Sequence, residues 1–292
     1  VGITLPLSID IITGFFEGRE RDFLIGFGTS TIACVGAIFF QVVGGMLADA
    51  YGWNYGFLVY LFPIWILAIT FLFLPEPKKQ EVPNASIKDV LFKAPKTVYG
   101  FTVGQIIFSA FVFGYVTNIS IIIQTEGLGN ATEAGLAISL FTTGTLLTGF
   151  FFGKLRSILP NLIVPLGVLL TATGILWCST VGSLTMIFVA SVLGGMGLGI
   201  VLPGVLARVS ELSNIAKGIS FVGIAAAGQG LGGIVSPYMF AAILSVFGLE
   251  GGRSTLFMAS IGLFILAIVW GIIAARKSPL TINDSEGQTE VA

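Results

Sequence analysis

The stretch Pro75–Lys96, reading PEPKKQEVPNASIKDVLFKAPK, is the longest polar segment before the C-terminal tail. It carries eight of the chain's 14 basic and 15 acidic residues, and Pro75, Pro77 and Pro95 keep its two ends out of regular helix. On either side the sequence turns apolar in blocks of about twenty residues, the length that a hydrocarbon core of roughly 30 Å requires of a helix. Three blocks precede the stretch, at 1–15, 23–48 and 54–74, the first of them short for a full span. Six follow it, at 97–123, 132–153, 160–180, 183–207, 218–247 and 254–275. The chain is 55% hydrophobic and only 10% charged, against roughly 25% charged in a soluble domain. Such a sequence needs lipid as solvent for much of its surface. The fold class is therefore read as all-α, a polytopic membrane helical bundle.

The breaks between blocks carry charge and turn signals, such as EGRERD at 17–22, Asp49 to Trp53, EGLGN at 126–130, KLRSILPN at 154–161 and LEGGR at 249–253. Assigning alternate loops to opposite faces gathers Arg19, Arg21, Lys78, Lys79, Lys88, Lys93, Lys96, Lys154, Arg156, Arg208, Lys217, Arg276 and Lys277 on one side, leaving only Arg253 on the other. By the positive-inside rule the crowded side, with the C-terminus, is expected in the cytoplasm. The net charge of −1 gives no reason to expect nucleic acid as a partner. The absence of histidine removes the usual zinc ligand sets and the Ser-His and Cys-His nucleophile pairs, so neither an enzyme, a metal nor a cofactor is expected. Cys34 and Cys178 lie inside apolar blocks and read as small packing residues rather than a disulfide.

An internal repeat also runs through the chain. Gly2-Ile3-x-Leu5-Pro6 recurs 197 positions later as Gly199-Ile200-x-Leu202-Pro203, and the same offset pairs Gly26 with Gly223 and Gly36 with Gly233. Both copies keep one orientation, as in a parallel repeat about an axis along the membrane normal.

The segment from Leu5 to Pro77, with LPLS, FFEGRER, VGG, GWNYGF and LFLPEP, resembles helices four to six of the major facilitator superfamily, closest to its bacterial multidrug exporters. GGMGLGIVLPG is similar to helix ten and GIAAAGQGLGGIVSP to helix eleven. The resemblance implies two six-helix bundles, with helices four to twelve present and the first three expected upstream of Val1. On that pattern residues 1–74 are a partial N-terminal bundle, 75–96 a cytoplasmic linker, 97–276 the C-terminal six-helix bundle and 277–292 a cytoplasmic tail. Gly36, Gly44 and Gly45 fit the glycine motif of the family's helix five, but Phe40-Gln41 stands where that motif has Gly-Pro.

Asp10 is the acid set deepest inside an apolar block, about 8 Å from the following loop at ~1.5 Å per residue. A carboxylate at depth costs at least ~2.5 kcal/mol to insert, so it should face protein or a cavity. Burial would raise its pKa and suit it to carry a proton. The other reading pairs it with Arg19, Arg21 or Arg208 as a lock on the closed inner mouth. Gln105, Ser109 and Tyr115 share an arc of roughly 120° on one helix, as do Ser139, Thr142 and Thr145 on the next, and Gln229, Gly233 and Ser236 align on the span that holds Pro237. These faces are candidates for a substrate cavity, weighed against ordinary interhelical hydrogen bonding and hydroxyl back-bonding. The pairs Gly149/Gly153, Gly195/Gly199 and Gly228/Gly232 have the spacing of close helix packing. Spans 54–74, 160–180 and 254–275 are the most uniformly apolar and are expected outside the bundles, with lipid all round.

The expected function is secondary transport, as proton-coupled efflux of amphipathic small molecules by a monomer in the plasma membrane. The partners are then a small-molecule substrate, protons and the bilayer. The alternatives are uptake or facilitated passage of a sugar or organic acid, and a non-transporting membrane fragment.

Overall fold

A computed structural model describes residues 33–73, 94–159, 161–215 and 222–276. Asp10, the block 1–15, most of the Pro75–Lys96 stretch and the tail from 277 lie outside the described residues. Among the described residues there is helix and no strand. In chain order the elements are α1 (Ala33–Tyr51), a 3-10 segment (Trp53–Leu61), α2 (Phe62–Phe73), α3 (Lys96–Thr125), α4 (Ala131–Ile158), α5 (Ile163–Thr180), α6 (Leu184–Ile215), α7 (Val222–Phe247) and α8 (Arg253–Arg276). With the 3-10 segment and α2 counted as one run, eight of these stretches are long and apolar enough to cross a membrane. The molecule is an all-α membrane bundle.

The block expected at 54–74 is not one α-helix. Pro63 has no N–H to give to the carbonyl of Val59, four residues back. The Phe62 N–H takes that carbonyl instead, closing the tighter ring of a 3-10 turn. Trp53–Phe73 buries none of its residues, in keeping with the lipid contact its composition suggests.

The six helices from α3 onward pack as a bundle. The broadest contacts are α4 with α6, α6 with α5, α3 with α7, and α8 with α5 and α3. Its core holds a stacked pair, Tyr115 on α3 and Phe141 on α4, with ring centres 4.7 Å apart, and also buries Ile119, Ile187, Ala137 and Ala190. Gly195 and Gly199 make the α4–α6 contact possible, because a Cβ on either would collide with the backbone of Phe141 or Thr145. Gly228 and Gly232 lie similarly close to α3. The pair Gly149/Gly153 departs from the expectation for its spacing, since neither meets a neighbour among the described residues.

Composition places α5 only in part, since Leu166, Leu169 and Trp177 do face outward. Its uniform apolarity suggests lipid all round, yet Val168, Thr171, Ala172, Ile175 and Cys178 are fully enclosed against α6 and α8. Lipid tails and protein cores are equally apolar, so hydropathy does not tell them apart. The small residues decide, because Gly174 meets Gly194 with no side chain between the backbones.

Candidate functional site

The described part of the first half touches the second mainly along one seam, α1 against α4. Two glycines set its closeness. A Cβ at Gly45 would come 2.6 Å from the carbonyl oxygen of Ala131, and one at Gly135 would come 2.5 Å from that of Gln41. Gly44, by contrast, faces the 3-10 segment, and Gly36 faces open space.

Gln41, the residue at the departure from the helix-five pattern, lies inside this seam. Its Oε1 accepts from Ser139 Oγ at 3.2 Å and from Thr142 Oγ1 at 3.5 Å. Ser139 also reaches the carbonyls of Gly135 at 2.8 Å and Ile38 at 3.1 Å. One hydroxyl proton serves three acceptors, so Ser139 can exchange a partner on α1 for one on its own helix at little cost. Such a contact can part and re-form without leaving the hydroxyl unpaired. Beside it, Phe40, Gln41, Trp53, Phe57 and Tyr60 line an aromatic groove of about 550 Å³ between α1 and the 3-10 segment.

At one end of the seam stands Asp49, which the sequence offers only as a loop boundary. Its carboxylate accepts the Ala131 N–H at 3.0 Å and the Thr132 N–H at 2.7 Å, and also the Thr132 hydroxyl. The start of α4 is otherwise closed by its own capping box. Asn130 accepts from the Glu133 N–H at 3.2 Å, and Glu133 accepts from the Asn130 N–H at 2.8 Å. A signal for Asp49 existed. An acid in the last turn of a helix opposes that helix's own dipole, so it needs a donor from elsewhere.

The cavity candidates fall into separate groups. Gln105, Ser109, Tyr115 and Ser236 are buried inside the second bundle, each no more than 3% exposed, while Thr142 and Gln229 are half-buried. Ser109 and Ser236 share the α3–α7 contact, where Ser109 Oγ donates to the Gln105 carbonyl at 2.8 Å and Ser236 Oγ to that of Ala110 at 2.7 Å. Tyr115 lies at the other edge of the same arc and turns toward α4 and α6, donating to Ser191 Oγ at 2.7 Å. Between them, both amide atoms of Gln105 are buried without a hydrogen-bond partner among the described residues. Thr142 belongs to the seam, and Asp10 lies outside the described residues.

No curated protein matches the chain. The family model of the Major Facilitator Superfamily matches residues 1–129 and again 101–291, two stretches that together take in nearly every residue. A bundle of membrane-length helices, a glycine-closed seam between its halves and this match lead to one conclusion: the chain belongs to the Major Facilitator Superfamily, whose members are secondary transporters of small molecules.

Proposed function

We propose that the protein is a proton-coupled exporter of amphipathic small molecules, working by rocking two bundles about a site near the membrane midplane. The observation that carries the substrate class is the placement of charge. Among the described residues, Asp49, Lys96, Glu133, Lys154, Arg156 and Arg253 all lie at or within about a turn of the ends of their helices, and Arg208, about two turns inside α6, reaches Asn161 just ahead of α5. An anionic sugar acid or organic acid would call for a cation at depth. Side chains such as Gln105, Ser109, Tyr115, Thr142, Gln229 and Ser236, together with aromatic rings, suit a molecule with a broad apolar body and a few polar groups. Asp10 is the proton carrier in this reading. The Lys- and Arg-rich face and the C-terminus are cytoplasmic, and the protein acts as a monomer in the plasma membrane.

The test is efflux of an amphipathic fluorescent dye from sealed vesicles under an imposed pH gradient. Asp10→Asn keeps the size of the side chain but not its charge, so it should abolish pH-driven export while leaving dye binding intact. Export at the wild-type rate in that variant would exclude Asp10 as the carrier. Gradient-driven uptake of a sugar, with no dye efflux, would replace the export reading.

A further inference from the structure

We propose that Asp49 is the latch that holds the two halves of the transporter closed on the face opposite the Lys96 end of α3. Four N–H groups at the start of a helix lack partners within it. At α4 the Asn130 and Glu133 N–H groups are taken by the helix's own capping box, and the remaining two, on Ala131 and Thr132, are taken by a carboxylate from α1. The start of α4 is thus completed only when α1 is docked. The two elements are far apart in sequence and join different halves of the chain, so this contact reports on their relative position rather than on either fold.

The geometry around the carboxylate supports a separable contact. Asp49 is exposed, so water can take over its hydrogen bonds when the seam parts. Gly52, with φ +103°, ends α1 just beyond it and turns the chain into the 3-10 segment, leaving the carboxylate at the helix's tip. Deeper in the seam, Ser139 and Thr142 have carbonyls on their own helix to return to, Gly135 and Ile138, when Gln41 withdraws. The two hydroxyls of the seam therefore have partners both docked and undocked, which lowers the cost of parting it. In that balance the three charge-assisted hydrogen bonds at Asp49 are the strongest of the seam. The inference rests on transport by alternating access, since only then must this face open.

The experiment reads the opening directly. Ser139 is 2% exposed beneath the latch, so Ser139→Cys, in a Cys34→Ala background, is labelled by a membrane-impermeant maleimide only when the seam parts. Cys178, fully buried in the second bundle, stays in place as a reference for unfolding. In nanodiscs, Asp49→Ala should speed labelling at position 139 roughly tenfold, equivalent to about 1.4 kcal/mol. Asp49→Asn keeps one acceptor oxygen and should fall between. Glu126→Gln, on the same face but bonded only within the second bundle, should leave the rate unchanged. An Asp49→Ala rate equal to that of the parent would overturn the latch. So would labelling of Cys178 in parallel, since Asp49 would then hold the fold together. Faster labelling in a protein that moves no dye would count against the export reading and leave the latch standing.

Discussion

Arg253 grips Glu126 with two prongs, Nε to Oε1 at 2.5 Å and Nη2 to Oε2 at 2.6 Å, and ties the loop after α3 to the first turn of α8. A third donor, Nη1, reaches the carbonyl of Ser179 at 3.0 Å, just ahead of the end of α5. One side chain thus pins three helix ends on the face where the positive-inside rule leaves it as the only basic residue.

The pair predicts a pH dependence. Hydrogen bonds from Arg253 hold the Glu126 carboxyl below its ordinary pKa. A depressed folded-state pKa contributes stability that is fully present above the unfolded value, about 4.3, and is lost as pH falls through the folded one. Both partners are partly exposed, with side-chain exposures of 28% for Arg253 and 36% for Glu126, so the contribution is about 0–1 kcal/mol. Thermal unfolding in detergent should show a midpoint drop between neutral pH and about pH 3 that shrinks in Glu126→Gln. Arg253→Ala should cost more than Glu126→Gln, because it also strips the Ser179 carbonyl of its donor. Equal costs would mean that the Ser179 bond contributes nothing.

Two glycines of identical motif spacing should respond oppositely to alanine. Gly195→Ala drives a Cβ into the Phe141 backbone, and overpacking of this kind costs roughly 1–3 kcal/mol. Gly149→Ala meets open space and should be neutral or slightly stabilising, since alanine is the better helix former by about 1 kcal/mol. Unfolding of the two variants in mixed micelles distinguishes them. A destabilised Gly149→Ala would place a neighbour against that face.

The sequence made the spans legible because hydropathy reports the one requirement that lipid imposes on every residue of a helix. Turn signals such as EGLGN and LEGGR marked helix ends for the same local reason, and both fall at ends in the structure. What pairs with what was harder to read. Gly149/Gly153 and Gly195/Gly199 have the same spacing, and only the three-dimensional neighbour separates them. α5 and the Trp53–Phe73 run are alike in composition, but α5 buries one face against protein and the other run buries none of its residues. Gln41 was visible as a departure from a motif, yet its partners on α4 lie about a hundred residues away and have no local signature. Asp49 looked like a loop residue because the donors that explain it belong to another helix.

Tyr115 tests whether the buried polar groups carry packing or substrate. Its hydroxyl starts a short relay, donating to Ser191 Oγ, which donates in turn to the Ile187 carbonyl at 2.6 Å. Tyr115→Phe removes the first link and leaves the second, and interhelical bonds of this type are worth about 0.6–1.5 kcal/mol. The ring stack on Phe141 survives the change. A loss of stability within that range, with dye efflux unchanged, is the outcome for a purely structural hydroxyl. Lost efflux at full stability would instead assign Tyr115 to the substrate path.

Gln105 gives the sharpest contrast between folding and transport. Its side chain is 1% exposed, and neither amide atom has a hydrogen-bond partner. An unsatisfied buried polar group costs about 1–3 kcal/mol. Replacing it with an apolar side chain of similar length should recover part of that penalty without opening a void. Gln105→Met is therefore expected to raise the unfolding midpoint, which is unusual for a buried substitution. If the amide is kept because substrate uses it once the bundles part, the same variant should lose dye efflux while gaining stability. A more stable, fully active Gln105→Met would remove Gln105 from the substrate path. A less stable one would show that the amide has a partner in the folded protein, and the expectation drawn from its isolation would fall.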